Sequence, residues 1–502
     1  MGTKAYDNFA DLITFSRASG GTALRHVGYG DELVSESQQN GSASNSANYA
    51  FVEETVSGVE AGKVYAYSYR ARNTGDPAQY TLSGFGIDVV ASQSVSWNVV
   101  NAGALSTSFV TYTGVFVAPS TALEFGIRAY PVTLDTTTVT VEYDSLSVKE
   151  VIFDRASDPL VLFNHPANIA RVEYAADGTR KGLLIEEQRT NLVTYSEDFT
   201  HASWQTVSQN LGLAPIVTAD QAASPDGNTN ADRVFFETTG TSTTDRSRLR
   251  VASNTSLTGT GVFSVWIKEV SPGQSDLTIM ITNGVGTTTV TPTAEWVRYS
   301  TPATAFTSYQ PEIRLTGSDG TSSDVYIWGA QLEAGAFPTS YIPTNSGSTV
   351  TRSADVASMP VSAFGYNQKA GTVVVDLNSF GDNTYQYAVA LTPTSATGAF
   401  EISLRKSVSN WNYSVIDNSV VQASINEAFS AQAKLAGAYK ANSFNASING
   451  SVEVEDTSGT VPSGLVDLRI GRQTSFQLNG HIKSIAYYPR RLSNAQLQEL
   501  TA

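Results

Sequence analysis

Apolar and polar residues alternate in short runs along most of this chain. KVYAYSYRAR (63–72), SFVTYTGVFVAP (108–119), TVTVEYDSLSV (138–148), GVFSVWIKEV (261–270), EWVRYSTPA (295–303) and DVYIWGAQLEAG (324–335) are examples, each bounded by Gly, Pro, Asn or Asp. A period of two sends successive side chains to opposite faces, so these runs predict β-strands with one face buried. Asn449-Gly450 between two such runs predicts a tight hairpin. A helical pattern is confined to LSNAQLQELTA (492–502), where Ser493 is a natural N-cap and Leu497 and Leu500 share a side.

The pattern also repeats. ITFSRAS (13–19) returns as VIFDRAS (151–157), and the strand series that starts at KVYAYSYRAR returns in the same order from GVFSVWIKEV. Self-similarity of this kind marks a duplicated module. The expected organisation is an N-terminal attachment segment (1–33), a first module (34–150), a connector (151–190), a second module (191–343), a linker (344–355) and a third unit (356–502). Each unit is expected to be a two-layer β-sandwich, so the predicted fold class is all-β. GLLIEEQRTNLVTYSEDF (182–199) stands apart, too polar for a core strand and too apolar for a loop. Its expected role is at a junction, with Leu183, Leu184 and Ile185 docked on a neighbouring sheet and Glu186, Glu187 and Arg189 satisfying charge and backbone there.

Charge narrows the partners. With 31 basic against 46 acidic residues the net charge is −15, which repels phosphate backbones and anionic bilayers, so nucleic acid is not an expected partner. No run of apolar residues is long enough to span a bilayer, so membrane insertion is not expected either, and no apolar leader pattern is visible at Met1. The absence of cysteine removes disulfides, thiol catalysis and thiolate metal sites, and the four histidines form no paired metal motif.

FSRASGGT, FDRAS, GLLIEEQRTNLVTYSEDF with Trp204 just after it, and YIWGAQLEAGAFPTSYIPT resemble a pattern of tailed-bacteriophage virion proteins. NASING, LRIGRQ and GHIKSIAYYPRRLSNAQLQEL resemble a concanavalin A-like (laminin-G-like) domain. The resemblance implies two tandem jelly rolls of carbohydrate-binding-module type, followed by a concanavalin A-like sandwich. It further implies a fibre or spike subunit on the phage particle, a homotrimer mounted on other virion proteins through its N-terminal segment and attached to a host-surface glycan. No enzymatic activity and no cofactor are expected, apart from the structural calcium that such jelly rolls often hold. A purely architectural decoration protein and a glycan depolymerase are the alternatives.

The only stretch resembling a glycanase motif is VEVEDTSG (452–459), where Glu453 and Glu455 share a face but a third acid is missing. Glu186 and Glu187 are adjacent and point to opposite sides of an extended chain. No G-x-S-x-G occurs. For calcium, DGNTNAD and SDGTSSD offer Asp226, Asp232, Asp319 and Asp324, residues that turns also favour. Carbohydrate platforms are expected from Trp266 beside Lys268, from Trp328 and from Trp411 between Asn410 and Asn412, against core packing as the alternative. Tyr65, Tyr67 and Tyr69 line one face that is either core or surface. Arg246, Arg248 and Arg250 share one strand face that fits an acidic glycan or a neighbouring subunit, or is simply solvated.

Overall fold

The computed structural model describes all residues except 1–13, 17–20, 36–49, 74–79, 82–84, 90–107, 119–121, 132–140, 254, 256–258, 283–284, 306, 381–384, 395–397, 408 and 452–454. It is nearly all β, with antiparallel sheets throughout and one α-helix, Asn494–Thr501, among the described residues. The chain divides into two compact units, His26–Leu160 and a larger one made of Met1–Arg25 and Val161–Ala502.

In the smaller unit, Val141–Phe153 lies between Gly21–Ser35 and Val64–Asn73, with Val110–Val117 beyond. Val141–Phe153 runs through the module boundary expected at residue 150. A second sheet joins Ala50–Ser57, Ala122–Pro131 and Tyr80–Thr81, and Phe85–Val89 also pairs with Ala122–Pro131. Tyr65, Tyr67 and Tyr69 face inward and are buried, which settles their open assignment as core. Tyr65 stacks on Phe116 at 5.7 Å and Tyr69 on Tyr112 at 5.3 Å. Gly114 lies opposite Tyr67, and a Cβ there would sit 2.4 Å from the Tyr67 hydroxyl, so only glycine admits this ring.

The larger unit holds two sandwiches. In the first, a five-stranded sheet runs in the order Trp204–Gln209, Arg246–Val251, Glu312–Thr316, Leu277–Thr282, Val285–Val290. Its apolar face meets that of a second sheet ordered Ile216–Ala223, Thr229–Glu237, Ser322–Ala334, Thr260–Glu269, Val297–Ser300. Leu249, Ile279, Ile313 and Leu315 interdigitate with Val234, Phe236, Val265, Ile267 and Ile327.

The second sandwich packs a seven-stranded sheet on a six-stranded one. The seven-stranded order is Thr14–Ser16, Val356–Pro360, Asp467–Ile470, Gln386–Thr392, Glu401–Lys406, Asn410–Asp417, Val420–Ala428. Thr14–Ser16, within the expected attachment segment, is therefore paired with the chain's own sheet, Thr14 opposite Ser358. The six-stranded order is Val172–Tyr174, Arg180–Ile185, Gly480–Tyr488, Ala370–Ser379, Gln432–Lys440, Asn445–Ile448. At the hairpin after Ile448, Asn449 and Gly450 both have positive φ, 52° and 78°, as the turn chemistry demands. The helix begins at Ser493 with a reciprocal capping box to Gln496 and packs Leu497 and Leu500 against Ala436, Ala438 and Leu492.

GLLIEE is annexed by this second sandwich. Leu183 pairs with Ile482 and Ile185 with Gly480, and both side chains enter the core. The next residue, Glu186, leaves the strand into a buried ion cluster. Arg171 Nη2 lies 2.9 Å from Glu186 and 2.5 Å from Asp355, and Arg352 lies 3.5 and 3.9 Å from the same two acids. The four side chains are at most 2% exposed. Ser340 in the closing segment of the first sandwich donates N–H and O–H to Glu186 at 2.8 and 2.7 Å. Burial opposes the charged form of Glu186, but Arg352 and Arg171 overrule it and hold the carboxyl down at about 2. Two cations and two anions thus bind connector, first sandwich and second sandwich at one point.

Candidate functional site

RSRLRV alternates strictly, so one face must be taken by Ser247 and Leu249 and the other by three arginines. The structure buries Ser247 and Leu249 completely and turns Arg246, Arg248 and Arg250 outward on the five-stranded sheet of the first sandwich. The register then adds neighbours that lie far away in sequence. Arg314 stands directly opposite Arg248, and Glu312 opposite Arg250. On the other flank Gln205 faces Arg250 and Gln209 faces Arg246. Beyond Glu312–Thr316, Thr278 is opposite Arg314, and Thr287 and Thr289 stand exposed on the last strand.

The contacts show how this face is held. Arg248 grips Glu312 with both arms of its fork, Nε–Oε1 at 2.9 Å and a second bond from Nη2 to Oε2, and donates to Gln209 Oε1 at 3.2 Å. Arg250 reaches Gln205 at 3.4 Å, and Arg246 donates to the Thr243 carbonyl at 2.9 Å. Arg314 shares Glu312 only at 3.8 Å. Asp319, at the end of the same strand, is bonded to Thr316 and Ser318. Four guanidinium groups therefore face one carboxylate within the sheet and one at its end. Like charges set directly opposite across strands destabilise a sheet, and burial followed by repulsion from Arg246 pulls the Arg314 pKa down. The Nε atoms of Arg250 and Arg314 are buried with no hydrogen-bond partner among the described residues. A face that concentrates unneutralised cations at a cost in stability is suited to an anion with several charges in a row.

The other sequence candidates lie elsewhere. Trp411 is fully buried in the core of the second sandwich, its Nε1 donating to the Ser430 carbonyl at 2.9 Å, so it is not a platform. Trp328 is 1% exposed and packs on Tyr341 at 4.6 Å, so it too is interior. The reason for both is packing: a large ring contributes most when enclosed. Trp266 is half-buried against Trp328 and Tyr341 across Gly329, whose φ of +67° and 2.9 Å approach to the Trp266 ring leave no room for a side chain. Lys268 is partly exposed on the same strand, opposite Tyr326.

The four aspartates do not converge as a calcium site among the described residues, and each serves a local hydrogen bond or ion pair. Asp226 accepts from Ser224 and the Asn228 N–H at 2.5 and 2.8 Å, closing a turn. Asp232 accepts the N–H groups of Phe199 and Asp220, and burial pushes it up to about 6. Asp319 is held as above, and Asp324 is clamped by Arg233 at 2.9 and 2.5 Å. Among the described residues no three His, Asp or Glu side chains converge as a metal site. Of the glycanase stretch, Glu453 lies outside the described residues and Glu455 is bonded to Ser443, Arg491 and Asn494.

No family model matches this sequence, and no curated protein matches it. Among solved structures the chain is similar to the N-terminal CBM22-1-CBM22-2 tandem domain from Paenibacillus barcinonensis Xyn10C. The match has 11% identity and a TM-score of 0.20, and covers 63% of this chain and 100% of that one. A superposition this loose leaves function to be argued from the residues themselves.

Proposed function

We propose that this chain is a non-enzymatic adhesin, a structural virion protein of a tailed phage whose β-sandwiches attach the particle to an acidic glycan on the host surface. One observation carries the reading: Arg246, Arg248, Arg250 and Arg314 are gathered on one sheet face of a chain whose net charge is −15. At physiological salt, charges beyond about 8 Å are screened, so a bound polyanion responds to this face and not to the acidic remainder. The guanidinium fork matches carboxylate geometry, while Gln205, Gln209 and the threonines supply partners for sugar hydroxyls. Successive arginines along the strand stand roughly 7 Å apart, a spacing that favours a repeating acid over a single one. Assembly as a homotrimer on the particle, mounted through the N-terminal segment, multiplies weak contacts by effective concentration.

The test is a glycan array with the intact chain, alongside adsorption of the particles that carry it. Binding concentrated on uronate-bearing or sulfated glycans, and adsorption blocked by soluble protein, are the expected results. Turnover of any bound polysaccharide overturns the non-enzymatic part. The buried cluster at Glu186, which ties two sandwiches together, favours a second reading as a purely architectural decoration. That reading predicts no glycan signal and unaltered adsorption.

A further inference from the structure

Three aromatic rings among the described residues are strongly exposed, and two of them, Tyr385 at 48% and Phe476 at 42%, lie against each other. Their ring centroids are 5.7 Å apart, and Phe476 also leans on Tyr387 at 6.4 Å. Phe476 belongs to the short hairpin strand Phe476–Gln477, while Tyr387 belongs to Gln386–Thr392 of the seven-stranded sheet. Exposed rings that pack on one another at the surface of a folded domain mark a contact site.

Polar groups continue from these rings across three further strands. Tyr387 is directly opposite Arg405, Arg405 opposite Asn412, and Asn412 opposite Asn426. This is the face away from the core, because the alternate residues Leu404, Tyr413 and Ile425 point inward. Arg405 donates to Asn412 Oδ1 at 3.0 Å, Tyr387 Oη at 3.1 Å and Ser414 Oγ at 3.2 Å, and lies 3.6 Å from Glu401. Its charge is matched and its donors are engaged, so it serves as a fixed hub. Asn412 Nδ2 in turn holds Ser424 and Asn426 at 3.0 Å, and those two side chains are exposed. Gln473, from the strand that pairs with Phe476–Gln477, bonds Glu401 at 3.2 Å, and its buried Oε1 has no partner among the described residues.

We propose that this face is a second saccharide site, selective for an uncharged glycan chain. The inference takes its ligand class from the glycan-binding reading but assigns a different domain and a different sugar chemistry. Tyr385 and Phe476 offer ring faces for the apolar C–H face of one sugar residue, and Ser424 and Asn426, three strand spacings or roughly 14 Å further across the sheet, offer a hydroxyl and an amide to a later residue of the same glycan chain. The absence of surplus charge sets it apart from the arginine face, because a carboxylate here meets an Arg405 already balanced by Glu401.

The probe is affinity electrophoresis of the full chain in native gels containing dextran, mannan or galactan, with polygalacturonate as the acidic counterpart. Wild type is expected to be retarded by at least one neutral polymer. Tyr385→Ala with Phe476→Ala should weaken that retardation ~10-fold or more while leaving retardation by polygalacturonate unchanged. The ring-preserving pair Tyr385→Phe and Phe476→Tyr should retain binding, and equal melting temperatures show that the alanine variant is folded. No retardation of wild type in any neutral gel overturns the proposal, as does equal retardation of the alanine variant. Loss of polygalacturonate binding alone strikes the arginine face and leaves this site standing.

Discussion

Replacing Glu186 by Ala removes one of two anions from a site shut off from solvent. Arg171 and Arg352 would then share Asp355, with Glu333 acting on Arg352 only at longer range, leaving positive charge undercompensated where every side chain of the cluster is at most 2% exposed. Breaking a buried ion cluster in this way costs about 3–5 kcal/mol. The Ser340 N–H that donates to Glu186 at 2.8 Å loses its acceptor as well. For a unit of this size a kilocalorie corresponds to about 2 °C, so the melting temperature should fall by about 6–10 °C. Glu186→Gln keeps an acceptor for Ser340 and removes only the charge, so it should fall by less than the alanine variant. Glu187→Ala is the control: its carboxylate is 39% exposed and pairs with Arg189, a contact worth under about 1 kcal/mol. Differential scanning calorimetry at pH 7 reads all three. The pH dependence follows from the same geometry. The folded-state pKa of Glu186 is held at about 2, below its ordinary value. Its contribution is therefore complete above about pH 5 and is lost as pH falls towards 2. A Glu186→Ala variant that melts within about 1 °C of wild type would refute the view that this cluster ties the two sandwiches together.

Two further outcomes follow from single side chains. Burial pushes Glu197 up to about 7, despite hydrogen bonds from Tyr341 and Asn230. A raised carboxyl stabilises the fold while it stays protonated, and that stability is lost as pH rises through about 7. Glu197→Gln should therefore gain melting temperature over wild type between pH 5 and pH 8; a constant difference would contradict this. A flip of the Asn230 amide, whose Nδ2 now donates to Glu197 and whose Oδ1 has no partner among the described residues, would turn an acceptor towards the new amide. Trp411→Ala empties a fully buried site and should cost about 3–5 kcal/mol in a chemical-denaturation series. Binding to any glycan per folded molecule should be unchanged; a selective loss of binding would restore Trp411 as a platform.

Alternation along the chain was enough to place most strands, because a half-buried strand must show it. At NWNYS it set Trp411 and Asn412 on opposite faces without saying which is inward, and the expected platform Trp411 is the one in the core. What alternation leaves open is which face is wet. Tyr65, Tyr67 and Tyr69 had the same pattern under either assignment, and only their burial in the folded chain decides. The outward arginines of RSRLR were legible for the same reason. Arg314 and Glu312 were not, since they reach Arg248 through strand register across more than sixty intervening residues. GLLIEE was readable as a docking strand from its apolar run. The partners of Glu186 come from residues 171, 352 and 355, and no local signal links them. The Tyr385–Phe476 pair has the same origin, a hairpin folded back over a strand ninety positions earlier in the chain. The calcium expectation finds no cluster: among the described residues these aspartates close turns or clamp an arginine, and no three acidic or His side chains converge around one point.

The arginine face is tested most directly by titrating polygalacturonate with the intact chain and with a variant carrying Arg246→Ala, Arg250→Ala and Arg314→Ala. Arg248 is kept, because its removal would strand the buried Glu312. Charge-assisted hydrogen bonds contribute about 1.5–3 kcal/mol each, so the triple variant should bind about 100-fold more weakly or worse, with a melting temperature no lower than wild type because like-charge repulsion is relieved. Equal affinity for the two proteins would contradict the assignment of this face as the attachment surface.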